Sequence, residues 1–256
     1  MENNLFMLLT YFIIYSFLGW VMESTIRSVC EKKIINTGFL EGPFCPIYGC
    51  GALIMIVFLN EFENIFVLFI MSFFVLSFWE YVVGVLLEKI FKTKYWDYSD
   101  QKFNIHGRVC LLNSIYWGIL GVIFTKYMHP FIIDKITLID QLSLEIAVSV
   151  ITTLFIVDTI ISITKVINIK TTLNKIELLN TQIKEKLLEI KELEMTRKFE
   201  NNLPVVVEKL KLKRDKTLKR LYKHVYRLKK AFPAINTKEI TEILNKKFEF
   251  HKKKEK

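Results

Sequence analysis

Five stretches of the chain contain no Asp, Glu, Lys or Arg: Leu5–Met22, Gly42–Leu59, Asn64–Trp79, Val109–Thr125 and Ile146–Val157. Crossing a bilayer core of ~30 Å takes ~20 apolar residues in a helix. The third and fifth runs reach that length by including one acid each, Glu80 and Asp158. The pattern therefore predicts five membrane-spanning helices. The flank before the first run, MENN, has no basic residue, and no small-x-small cleavage signal follows, so this run is read as a retained helix rather than a signal peptide.

Beyond the fifth run the period changes. Val166, Ile169, Leu173, Ile176, Asn180, Ile183, Leu187 and Ile190 alternate in steps of three and four, the seam of a coiled coil with Asn180 at an a position. The run continues the fifth helix without a breaker, so a stalk pairing two protomers is one outcome. The other is a helical hairpin: Pro204 ends the first arm, and the apolar stripe Leu218, Leu221, Tyr222, Val225 and Leu228 folds back on it. The chain thus divides into a five-span membrane domain, 1–165, and a helical tail, 166–256. The stretch LKRLYKHVYRLKKAF is basic and amphipathic, of the kind that lies on anionic lipid.

Charge is split along the same line. From Lys165 onward there are 26 basic and 12 acidic residues, a net of 26 − 12 = +14, against 10 − 14 = −4 for the rest of the chain. Flanks alternate as well. The first loop carries Arg27, Lys32 and Lys33; NEFEN is acidic; the third loop carries Lys89, Lys92, Lys94, Lys102 and Arg108. The fourth loop, Lys126–Asp140, is short and nearly balanced, and the tail is basic. By the positive-inside bias the N-terminus lies outside and the tail in the cytoplasm of a multi-pass inner-membrane protein. The basic tail is accounted for by this retention, and nucleic acid is not expected as a partner. All four cysteines fall near the reducing side, where disulfides do not persist. No metal set and no cofactor motif is present.

Polar residues inside the apolar runs mark the candidate site. Glu23 ends the first run, with Arg27 one turn on and facing the same way. At ~1.5 Å per residue, Glu80 and Asp158 lie about 25 Å into their spans, on the inner side with Glu23. Carboxylates at such depth face each other or a polar cavity. One outcome is structural pairing of Glu23, Glu80 and Asp158 with Arg27 and Arg108; the other is a polar chamber open to the cytoplasm. Between the first two spans runs GFLEGPFCPIYGCG, with Glu41, Gly42, Pro43, Cys45, Pro46 and Tyr48. A helix from Pro46 to Leu59 is about 21 Å long, too short to span alone, which predicts a partly re-entrant loop ending in a helix N-terminus suited to an anion or to Glu41. The third loop adds Trp96, Asp97, Tyr98, Asn104, His106 and Arg108, followed by Asn113 in the fourth run.

FLGWVMES, NTGFLEGPFCPIYGCG, FWEYVVGVLLEKIF, WDYS and FNIHGRVCLLNSIYWGILG together resemble the bacterial family called putative ABC-transporter type IV, or CmpB-like permeases, over about residues 5–165. Glu23 matches the acid after the family's Gly-Trp pair. Gly42–Gly49 matches its Gly-Pro-x-Cys-Pro-Ile-Tyr-Gly core, and Trp79–Tyr81 its Trp-Glu-Tyr. Thr37 stands where the family often has Arg, so an anion role for that Arg does not carry over. The resemblance implies a transport permease. The chain has no G-x-x-x-x-G-K-S/T phosphate loop, so an ATPase would be a separate subunit. Two other classes remain open: an interfacial enzyme with Cys45 as nucleophile and His106 as base, and a scaffold or sensor dimerised through Val166–Ile190.

Overall fold

The computed structural model describes residues 4–91, 94–195 and 203–232. They form helices α1 (Leu5–Cys30), α2 (Pro46–Phe58), α3 (Ile65–Phe91), α4 (Leu111–Ile123), α5 (His129–Ile136), α6 (Gln141–Ile167), α7 (Ile169–Met195) and α8 (Leu203–Ala231), with a π-helical turn over Phe124–Met128. Three of them, α1, α3 and α6, are long and apolar enough to cross a membrane, and α2 is a shorter apolar helix. The protein is an all-helical membrane protein.

Local chemistry explains the boundaries. The Asn4 side chain accepts the Phe6 N–H, and Asn64 does the same for Phe66 and Val67, so α1 and α3 begin on Asn caps. At the end of α1, Lys32 takes a left-handed φ of 50°. The Lys33 N–H then reaches back to the Ser28 carbonyl and the Lys32 N–H to that of Val29, a Schellman closure with Lys where Gly is usual. Pro46 opens α2, where its fixed φ fits and its missing N–H is not needed.

The segment expected as a fourth loop is helical as far as Ile136. Its cause is Pro130, which cannot donate to the carbonyl one turn back and would clash with it. The chain widens to a π turn, in which the His129 N–H bonds the Phe124 carbonyl, and so continues the helix past the proline. The stalk expected to run on from the fifth span is interrupted at Asn168. The interruption is slight, since Asn168 still bonds Thr164 and Thr172 at 3.0 and 2.9 Å.

Two compact units result. One contains α1–α5 and α6 through Ser162, and takes the chain back at Leu228; the other contains Ile163–Arg227. In the first, helices approach closely at small residues. A Cβ on Gly19 or Gly49 would overlap Tyr48 or Ser16 across α1 and α2, and one on Gly118 or Gly121 would overlap Phe69 or Ser72 across α3 and α4. Helices in lipid gain little from burying apolar surface, so such close contacts supply much of their adhesion. Tyr11, Tyr15, Met55, Leu68, Leu76 and Phe124 fill the core between them. Phe66, Ile70, Phe74 and Phe78 of α3 point outward, as a lipid-facing surface does.

In the second unit Ile176 packs on Leu218, Leu221 and Val225. Ile176 precedes the end of α7 by about as many residues as Leu221 follows the start of α8, so the pair is an antiparallel hairpin. Ile176 and Ile183 of the heptad seam are buried within it.

Candidate functional site

The first unit holds a partly open cavity of about 580 Å³. Its wall comes from six places in the chain: α1, the loop leading into α2 with the start of that helix, α3, the third loop, α4 and the end of α8. The loop before α2 reaches it first. Gly38 has φ +101°, and a Cβ there would lie 2.9 Å from the Cys45 sulfur, so the turn needs glycine. Ser24 holds this loop through Thr37, bonding its hydroxyl at 2.7 Å and its N–H at 3.2 Å. Trp20 and Asn36 join at 2.6 Å, and the Cys45 N–H bonds the Ser16 carbonyl at 2.9 Å. Ile35, Thr37, Leu40 and Cys45 are all buried, so this irregular backbone is covered by protein.

Glu23 of α1 faces the cavity and accepts from the Tyr48 hydroxyl and, at 3.9 Å, from the Cys45 thiol. It forms no ion pair with Arg27. That guanidinium turns to Glu31 at 2.9 Å and to the carbonyls of Lys230, at 3.0 Å, and Ala231. The reason is geometric: Glu31 lies one turn further on, beside the carbonyls of the last turn of α8, which need donors. Ala231 and Phe232 line the cavity, and the Phe232 ring meets Tyr95 edge-on at 4.8 Å.

Glu80 of α3 is only 4% exposed. Asn113 donates to both its oxygens at 2.8 Å, the Trp117 indole to Oε2 at 2.9 Å, and the Tyr98 hydroxyl to Oε1 at 3.2 Å. Every contact is a donor, the partner set of an ionised carboxylate. Neither Glu23 nor Glu80 makes an ion pair among the described residues. The expected pairing of Arg108 with these acids does not form. Arg108 binds Glu88 at 2.6 Å and lies 5.5 Å over the Tyr81 ring. Its carbonyl accepts the Trp96 indole N–H at 2.8 Å, so it builds the wall rather than lining it.

The third loop is folded by its own polar residues. Asn104 bonds the carbonyls of Ser99 and Gln101 and accepts from Gly107. Asp97 accepts from Ser99 and, at 3.4 Å, from Lys94; the Ser99 hydroxyl above all holds its carboxyl below the usual carboxylate range. Burial, then the Glu80 charge, push the Tyr98 phenol up, which keeps it a donor. The cavity face of this loop is Tyr95, Trp96, Asp97 and Tyr98.

Asp158 lies apart from the cavity lining. It accepts the N–H of Glu41 at 3.2 Å and of Gly42 at 2.8 Å, with Ser162 at 3.3 Å. The Asp158 carboxylate thus binds amides of the loop, four and five residues ahead of Pro46, rather than the helix N-terminus at which an anion is expected. Of the sequence-derived site, the structure brings Glu23, Arg27, Cys45, Pro46, Tyr48, Glu80, Trp96, Asp97 and Tyr98 to one cavity, with Asn113 behind Glu80. Glu41, Gly42, Pro43, Asn104, Arg108 and Asp158 do not line it. Sequence reasoning missed Trp79, Trp117 and Phe39 as lining. Trp79 and Trp117 each stand one helical turn or less from a polar residue of the site, and that spacing is the available signal. The pairing an enzyme would need is not formed: Cys45 faces Glu23, and His106 bonds Tyr81 at 3.1 Å. Cys45 is buried with its thiol directed at a carboxylate, not in the exposed, electropositive setting of a reactive thiolate.

A membrane domain built around an acidic, aromatic cavity is the class these features define. The chain belongs to the family described as putative ABC-transporter type IV, which it matches over residues 10–163. No curated protein and no solved structure shows a match to it.

Proposed function

We propose that this protein is the membrane permease component of a transport system and works with a separate ATPase subunit. The observation that carries the reading is the cavity of about 580 Å³ among the helices, a volume within the range of small-molecule sites. Its location beside the basic first and third loops supports an opening toward the cytoplasm. In this reading five segments cross the inner membrane: α1, α2 with the loop before it, α3, the run from α4 through α5, and α6. The N-terminus lies outside and the basic tail, 166–256, inside, against anionic lipid.

Glu23 and Glu80 hold the solute's charge, and the aromatic wall orients its body. Asp97 and Tyr98 belong to the rim that admits it. The hairpin of α7 and α8 occupies the heptad seam within one chain, so the reading needs no dimer through Val166–Ile190.

Reconstitution in proteoliposomes with a candidate ATPase subunit tests the proposal. ATP-dependent uptake that falls in Glu80→Gln and Glu23→Gln upholds it. Uptake unchanged in both variants overturns these roles. Topology is checked with an impermeant thiol reagent at the exposed Cys30, which labels only after permeabilisation if the first loop is cytoplasmic.

A further inference from the structure

We propose that the cavity selects an organic cation, a quaternary or protonated amine on a small apolar body, and that it discriminates against anions. This deepens the permease reading and rests on it only for the direction and fact of movement, not for binding.

The argument is a census of charges and donors. Two carboxylates, Glu23 and Glu80, line the cavity without an ion-pair partner among the described residues. Asp97 is a third acid, shared with Lys94. Among the described residues the lining has one basic residue, Arg27, and its guanidinium is engaged by Glu31 and the two carbonyls. A negative charge in a low-dielectric cavity is compensated best by a cation that enters with the ligand.

Donors point the same way. The indole N–H of Trp79 goes to the Ile47 carbonyl at 3.1 Å, that of Trp96 to Arg108, and that of Trp117 to Glu80. The Tyr98 hydroxyl is directed to Glu80 and that of Tyr48 to Glu23. An anionic or strongly hydrogen-bond-accepting ligand would have to take these donors from their acceptors. A cation needs none of them. What these residues still offer is ring surface: three of the chain's four tryptophans line the cavity. Aromatic faces attract cations most strongly where water is excluded, and such cages recognise quaternary ammonium groups.

The test uses the full-length protein in maltoside micelles and follows tryptophan fluorescence. The probes are benzyltrimethylammonium, its uncharged carbon isostere neopentylbenzene, and benzenesulfonate. The expected result is saturable binding of the cation, at least about tenfold weaker binding of the isostere, and none of the sulfonate. Glu80→Gln should weaken the cation about tenfold and leave the isostere unchanged. If that variant does not fold, Glu23→Gln serves in its place. Displacement of the bound probe by short-chain phosphatidylcholine upholds the cation site and assigns it to a lipid headgroup; failure to displace upholds it for a free amine. The inference is overturned if the isostere or sulfonate binds as well as the cation, or if none binds saturably. Binding and transport separate the two claims. Cation binding without ATP-dependent uptake removes the permease reading alone, and uptake of a neutral or anionic solute removes the cation reading alone.

Discussion

Gly49 and Gly51 are neighbours on one turn of α2, yet the structure sets opposite expectations for them. A Cβ on Gly49 would lie 2.7 Å from the Phe12 carbonyl oxygen and would overlap the Ser16 hydroxyl. Carbon–oxygen contacts settle near ~3.3 Å, so α1 and α2 would have to part by about 0.6 Å. The serine can rotate away, but the carbonyl is helix backbone and cannot. A Cβ on Gly51 would meet only Leu76 at 3.7 Å and Trp79 at 3.9 Å, ordinary contacts. Each Gly→Ala change gains ~0.8–1 kcal/mol of helix propensity. Overpacking at position 49 costs ~1–3 kcal/mol. Gly51→Ala is therefore neutral or stabilising, and Gly49→Ala loses ~0–2 kcal/mol net. The propensity gain is common to both and cancels, so the gap between the variants is ~1–3 kcal/mol. Denaturant unfolding of the purified protein in maltoside micelles measures it. Equal stabilities, or Gly51→Ala as the weaker protein, would refute the α1–α2 packing described above.

Glu80→Ala leaves the donors of Asn113, Trp117 and Tyr98 without their acceptor, at ~1–3 kcal/mol each before relaxation, whereas Glu80→Gln keeps an acceptor; the alanine variant should unfold clearly earlier, and equal melting would contradict the network. Asp158→Ala removes the acceptor for two backbone amides, so the loop before α2 should loosen and thiol labelling at Cys45 should rise; unchanged labelling argues against the tether. Cys45 is buried and directs its thiol at Glu23, so in the intact protein it should stay unlabelled at ~pH 8.5, where an ordinary thiol is half ionised, while the exposed Cys30 reacts. Ile176 is 1% exposed against α8, so Ile176→Asp should open the hairpin to proteolysis between Ile163 and Arg227; resistance equal to the wild type counts against the pairing.

The long helices were legible because composition alone defines them. α3 begins just after Asn64, where its apolar run does, and α6 begins at Gln141, five residues ahead of the run Ile146–Val157. The start of α2 at Pro46 was legible for a similarly local reason. The acids of the site were legible because charge in an apolar run is costly and therefore conspicuous. Their partners were not. Sequence spacing pairs Glu23 with Arg27, but the acceptors that claim Arg27 include the carbonyls of Lys230 and Ala231, brought by a helix two hundred residues away in the chain. Arg108 likewise follows Glu88 rather than the deeper acids. The π turn escaped because Pro130 reads as a helix stop, although a wider turn lets the helix absorb it. The aromatic lining was hidden because Trp in an apolar run looks the same whether it faces lipid or a cavity.

The tether between Asp158 and the loop before α2 has a consequence for how this protein can change over generations. Its acceptor is a side chain, but both principal donors are peptide groups. Any residue except proline supplies such an N–H, so the codon for Glu41 is free to drift without breaking the link. The codon for Gly42 is not, since a Cβ there would stand 3.0 Å from the carboxylate oxygen it must leave room for. For this tether the constraint therefore rests on one acid in the last span and one missing side chain in the loop.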